Sequence, residues 1–198
     1  MPPCLINTFE RSEEENVRTI TGAYAIPAVI ALLVTAQWTK ADETVDVDIH
    51  EVSAEGTGSA IGTITVKEHQ YGVLLIPDLK GLSPGLHGFH LHENPDCRPA
   101  SQDGAQVAAA AAGGHYDPDK TEAHRGPFET DGHLGDLPAL FFNQQGEASQ
   151  PELAPNLEFA DFAGRSLVIH HGGDSYSDTP EPLGGGGERV ACGVVQVE

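Results

Sequence analysis

Residues 44–50 read TVDVDIH, and their order decides the fold. Val45, Val47 and Ile49 alternate with Asp46, Asp48 and His50, the period-two pattern of a strand with one face buried and one in water. The pattern returns along the chain. Ile64 and Val66 alternate with Thr63, Thr65 and Lys67, and further strand-like runs cover 71–75, 86–92, 137–142, 166–171 and 190–197. Lys80-Gly81, Pro84-Gly85 and Gln145-Gly146 supply turns between them. Many short strands joined by turns give an all-β sandwich or barrel. Two stretches fall outside it: 93–136, rich in Ala, Gly, His and Asp, and 172–189, rich in Gly, Pro and Asp. Loops this long in a compact domain are as a rule either functional or disordered. VAAAAA at 107–112 is expected to form a helical turn or two for packing.

Composition agrees. The 198 residues suit one domain plus a leader, and 23 Gly with 14 Pro against 7 Phe, 4 Tyr and 1 Trp favour turns over long helices. Thirty acidic and ten basic residues give a net charge of −20, which excludes nucleic acid and anionic lipid as partners.

The strongly apolar run is AYAIPAVIALLVTA, residues 23–36. It has the length of a signal-peptide core and is short for a membrane span. Val34-Thr35-Ala36 places cleavage after Ala36, with Thr39-Lys40-Ala41 as a second site. Residues 1–36 are therefore expected to be a leader and 37–198 the mature domain, with no membrane segment of its own, secreted to the periplasm. The segment ahead of the run is acidic (Glu10, Glu13, Glu14 and Glu15 against Arg11 and Arg18), where a signal peptide wants basic residues. A start at Val17 removes the conflict, so the first 16 residues read as a misplaced start. The competing reading is an uncleaved anchor with a cytoplasmic tail. Of the three cysteines, Cys4 leaves with the leader, and Cys97 and Cys192 remain as the one bridge open to an exported chain.

Ten histidines are present. His90 and His92 in GFHLHE are two apart on a strand, so both side chains share a face. The segment GGHYDPDKTEAHRGPFETDGHLGDLP supplies His115, His124, His133 and Asp136, three imidazoles and a carboxylate suited to tetrahedral zinc. His170 in SLVIHHGG ends a strand and can join His90 and His92; an all-imidazole set favours copper, zinc or nickel over magnesium or calcium. His171 points to the other strand face and is no ligand, while His50, His69 and His87 read as surface or core-edge residues.

With GLSPGLHGFHLHENPDC, GGHYDP, GHLGDLP and PLGGGGERVACGVV in that order, the chain from about residue 43 onward resembles the secreted bacterial branch of the copper/zinc superoxide dismutases. The resemblance implies a Greek-key antiparallel β-barrel or sandwich of about eight strands with two long functional loops. It implies one copper per subunit on His90, His92, His115 and His170, and one zinc on His115, His124, His133 and Asp136, with His115 bridging the two. It further implies that Asp174 braces a ligand of each metal, that Cys97 and Cys192 are disulfide-bonded, and that Arg189 and His115 act in catalysis. The implied reaction turns two superoxide ions and two protons into oxygen and hydrogen peroxide. Superoxide is then the small-molecule partner, and a homodimer is among the assemblies the resemblance allows. Removing the leader leaves the chain strongly acidic, so guidance of an anion must come from local groups: Arg189 first, with Arg98, Lys120 and Arg125 on the long loop as helpers. A metal-buffering protein and a partner-binding domain are the rival classes, and retention of every ligand together with Arg189 favours the enzyme.

Overall fold

The computed structural model describes residues 43–197; the leader, its cleavage sites and Cys4 lie outside them. The strands are β1 (Thr44–Ser53), β2 (Gly56–His69), β3 (Gly72–Lys80), β4 (Gly85–His87), β5 (Phe89–His92), β6 (Ala100–Gln102), β7 (Ala105–Val107), β8 (Leu140–Phe142), β9 (Glu147–Ala148), β10 (Glu152–Ala154), β11 (Ser166–His170) and β12 (Arg189–Val194). Single 3-10 turns occur at Ala110–Ala112, Phe159–Phe162 and Pro182–Gly185. Among the described residues, no helix is long and apolar enough to cross a membrane.

One antiparallel eight-stranded sheet runs β10-β3-β2-β1-β12-β11-β5, with β9 also paired to β3. The last strand in sequence thus lies beside the first, as Greek-key connectivity requires. The pattern read at residues 45–50 is visible in β1, where Val47 and Ile49 are buried and Asp46 and Asp48 exposed. They join Ile64, Val66, Leu75, Phe89, Leu91, Phe142, Leu167 and Ile169 in one apolar core, so both small and large sheets feed the same interior.

The run expected at 86–92 is two strands. β4 pairs with β8 and β5 with β11, and the change of partner occurs at Gly88. The Gly88 N–H donates to Gly172 O at 2.7 Å, and its carbonyl accepts from His170 N at 2.8 Å. A strand that switches sheets must leave one ladder at the residue where it joins the other. The run expected at 137–142 shortens to β8 for a related reason: the Leu137 N–H bonds Phe89 O, outside the β4/β8 ladder. VAAAAA yields one 3-10 turn over Ala110–Ala112, entered through Ala109 at φ 49. Inside the loop 93–136 the structure adds a hairpin, β6–β7.

Candidate metal centre

Two paired strands present the first group. On β5, His90 lies opposite Val168 of β11 and His92 opposite Ser166. β11 ends at His170, where the register against β12 slips and His170 faces Arg189. A bulge of this kind re-aims a side chain at a strand end. His115, three residues past the Ala110–Ala112 turn, bridges back to His92. One ligand atom each from His90, His92, His115 and His170 lie within 4.8 Å of one another.

Each strand histidine is held by the nitrogen facing away from that point. His90 Nε2 bonds Asp174 Oδ2 at 2.9 Å, His92 Nδ1 donates to Gly113 O at 3.0 Å and His170 Nδ1 to Gly187 O at 3.0 Å. The other nitrogens, His90 Nδ1, His92 Nε2 and His170 Nε2, are buried and have no hydrogen-bond partner. An unpaired buried acceptor costs about 1–3 kcal/mol, so three converging on one point fit a cation that takes their lone pairs. Burial holds His90, His92 and His115 below the ordinary imidazole range and brings His170 down to about 4. Neutral rings are what a metal ligand requires.

The second group comes from a segment without strands. His115, His124, His133 and Asp136 also bring one ligand atom each within 4.8 Å of the others. Asp136 Oδ1 lies 2.9 Å from His115 Nδ1, 2.9 Å from His124 Nδ1 and 3.3 Å from His133 Nδ1. Only the His115 contact is directed as a hydrogen bond; the other two nitrogens touch the oxygen without one. One spacing equals the edge of a tetrahedron with bonds of about 2.0 Å, roughly 3.3 Å, and the other two are shorter; the ligand types and their convergence suit tetrahedral zinc. Asp136 Oδ2 accepts from the N–H groups of Arg125 and Gly126 at 2.9 and 3.1 Å, which fixes the carboxylate plane. Burial alone would raise the Asp136 carboxyl, yet the three imidazoles hold it far below the usual carboxylate range.

Asp174 ties the groups together. Its Oδ2 meets His90 Nε2 and its Oδ1 meets His124 Nε2 at 2.8 Å. Burial acts to lower His124, but Asp136 and Asp174 together push it up to about 9. The rings of His90 and His115 stack with centroids 3.9 Å apart.

Arg189 donates from Nη1 to Ala109 O and from Nη2 to Gly113 O, both at 2.7 Å. A disulfide joins Cys97 to Cys192, three residues beyond it, across a sequence separation of 95. The loop cations differ: Arg98 is paired with Asp96 at 2.6 Å and Arg125 with Asp131 at 3.4 Å, so each has a carboxylate beside it.

One reading from the sequence is corrected. His87 is 2% exposed, neither a surface nor a core-edge residue, and its Nδ1 donates to His170 O at 2.6 Å. A side chain that bonds a backbone atom 83 residues away leaves no trace in local pattern. His50 and His69 are partly or fully exposed, and His171 stays out of both groups. Sequence reasoning also missed Asp178, whose carboxylate accepts the His124 N–H at 2.9 Å.

Residues 60–195 match the family described as copper/zinc superoxide dismutase (SODC). "Superoxide dismutase [Cu-Zn] 1" of Salmonella typhimurium is 50% identical over 174 residues, 87% of this chain and 98% of that protein. The solved structure of Cu/Zn superoxide dismutase from Brucella abortus superposes with TM-score 0.76 at 49% identity, covering 78% of this chain and all of that one. The solution structure of the monomeric copper, zinc superoxide dismutase from Salmonella enterica gives TM-score 0.70 at 50% identity, with the same coverage. With a family match over most of its length and relatives at half identity, the chain belongs to the copper/zinc superoxide dismutase family.

Proposed function

We propose that this protein is a secreted superoxide dismutase with copper held by His90, His92, His115 and His170 and zinc by His115, His124, His133 and Asp136. The observation that carries the reading is the pair of converging ligand groups that share His115, with Arg189 facing His170 across β11 and β12. When bound, copper would supply the one-electron chemistry that takes two superoxide ions and two protons to oxygen and hydrogen peroxide, while zinc would order the loop.

The chain's own residues do the rest. Arg189 is a fixed cation whose two anchored donors leave the guanidinium rigid, and it orients the anion by a charge-assisted hydrogen bond. His115 directs Nδ1 at Asp136, so its Nε2 is the atom that takes up a proton and returns it. Asp174 keeps His90 and His124 in their ring orientations, and such partners are costly to lose. The disulfide anchors the loop that carries the Arg189 acceptors.

Residues 1–36 are read as a leader with a misplaced start over the first 16, and 37–198 as the mature domain in the periplasm. Intact-mass analysis of exported protein should find Gln37, or else Asp42, at the amino terminus; retention of residues 1–16 would support an anchored form instead. Every ligand and Arg189 come from one chain, and the similar Salmonella enterica structure is described as monomeric. A homodimer is compatible with this site without being needed by it. Metal analysis of purified protein beside a dismutation assay tests the whole reading. Full metal content without dismutation would leave a metal buffer.

A further inference from the structure

The peptide group between Gly113 and Gly114 is engaged at both ends. Its carbonyl accepts two hydrogen bonds, from His92 Nδ1 at 3.0 Å and from Arg189 Nη2 at 2.7 Å. Its N–H donates to Glu93 Oε2 at 3.1 Å. One peptide therefore joins a copper-side histidine, the anion-guiding arginine and a carboxylate that belongs to neither ligand group.

The local chain is built to keep it there. Gly113 sits at φ 81 and ψ −157, a conformation glycine adopts without strain and L-residues avoid. A Cβ at this position would lie 2.7 Å from Glu93 Oε2 and 2.9 Å from Asn94 Nδ2. Residues 93 and 94 are themselves fastened to the turn. Glu93 N donates to Gly114 O at 3.2 Å, Asn94 N to Ala112 O at 2.9 Å and Asn94 Nδ2 to Ala111 O at 3.0 Å.

Hydrogen bonds in a chain polarise one another. A carboxylate drawing on the Gly114 N–H shifts electron density toward the Gly113 oxygen and makes it a better acceptor. The stronger pull on His92 Nδ1–H makes the ring more electron-rich at Nε2, the nitrogen left without a partner. Outer partners raise the basicity of metal-binding histidines in this way. From this arrangement we infer that Glu93 is a positioning residue that acts through the Gly113–Gly114 peptide, strengthening His92 as a copper ligand and holding Arg189 beside it. The inference rests on copper occupying the group that contains His92. Glu93 is exposed, so water competes with its bond and the effect is small compared with loss of a ligand.

Glu93→Gln keeps an acceptor oxygen and removes the charge; Glu93→Ala removes both. The readouts are the His92 Nδ1–H proton resonance of the reduced, metal-loaded protein and the affinity for Cu(II) in competition with a chelator. The resonance should move upfield in Glu93→Gln and further in Glu93→Ala. Cu(II) affinity should fall about threefold in the first and about tenfold in the second, the low end of what outer partners contribute. Zinc content should not change. If Glu93→Gln matches wild type while Glu93→Ala departs, the bond matters and the charge does not, and the relay is overturned. It is equally overturned if neither variant departs. A wild-type protein that binds no copper would defeat the proposed function instead. In zinc-only protein the same upfield movement would still uphold the Glu93 relay, and its absence would overturn it.

Discussion

His90, His92 and His170 reach the centre from β5 and β11, two strands that pair with each other, whereas His124, His133 and Asp136 come from the segment between His115 and β8, which has no strand at all. Around the first group, Phe89, Leu91, Leu167 and Ile169 are fully buried, so the sheet and its core set the ligand positions before any metal arrives. Around the second, carboxylates catch backbone amides. Asp117 binds the N–H groups of Thr121 and Glu122, Asp136 those of Arg125 and Gly126, and Asp178 that of His124. Lys120 and Glu122 hold φ near 55 and 52, a conformation non-glycine residues rarely adopt. In the proposed assignment the copper group draws three of its four ligands from paired strands, and the zinc group draws all four from a loop held by its own carboxylate–amide bonds.

That contrast is most exposed at Asp136. Asp136→Ala removes the one carboxylate among the four proposed zinc ligands and the acceptor of two loop amides. Zinc affinity should fall by more than the roughly 10–100-fold typical of losing an outer partner, with copper content reduced far less. His170→Ala should do the reverse and abolish dismutation. Metal content by mass spectrometry reads both. If Asp136→Ala emptied the copper side and left zinc bound, the two sides would be wrongly assigned.

The disulfide is the next test, because it fastens the loop to β12. Replacing Cys97 and Cys192 by Ser should cost about 2–5 kcal/mol in denaturant unfolding. Hydrogen exchange should rise first in 98–113, where Ala109 and Gly113 supply the Arg189 acceptors, and least in β5 and β11. Uniform exchange across both regions would erase the distinction.

Asp174 sharpens the comparison, since it hydrogen-bonds His90 of one group and His124 of the other. Asp174→Ala should weaken both metals by about 10–100-fold. A loss confined to zinc would mean that β5 needs no brace and that the copper side is as preformed as the sheet suggests.

The same contrast governs what the sequence discloses. Alternation over residues 45–50 marks β1 because strand period and burial are written in side chains, and the ligand types are visible for the same reason. Gly88, where the chain changes ladders, and Gly113, whose carbonyl serves His92 and Arg189, act through backbone atoms that every residue carries. His87 escapes because its partner is the carbonyl of His170, distant in sequence. Asp174, in a Gly-rich loop, looks like a turn residue without the family pattern, since a carboxylate between two ligands has no spacing of its own.

Arg189 belongs to both regions: it stands on β12, opposite His170, and its donors end on the loop. Its guanidinium takes no part in either ligand group, so Arg189→Ala should leave copper and zinc content unchanged. Burial lowers the Arg189 pKa somewhat, but from so high a value that the charge stays complete at neutral pH. A hydrogen bond to a charged partner contributes about 1.5–3 kcal/mol, so losing it should slow the second-order reaction about tenfold or more. Arg189→Glu should slow it further by turning attraction into repulsion, and added salt should recover part of that loss because screening acts on the repulsion. Arg189→Lys separates charge from geometry. A lysine keeps the charge but cannot span Ala109 O and Gly113 O with a rigid fork, so it should recover the salt dependence and only part of the rate. A fully metallated Arg189→Ala protein at the wild-type rate would take the arginine out of the mechanism and leave the strand-built histidines to act alone.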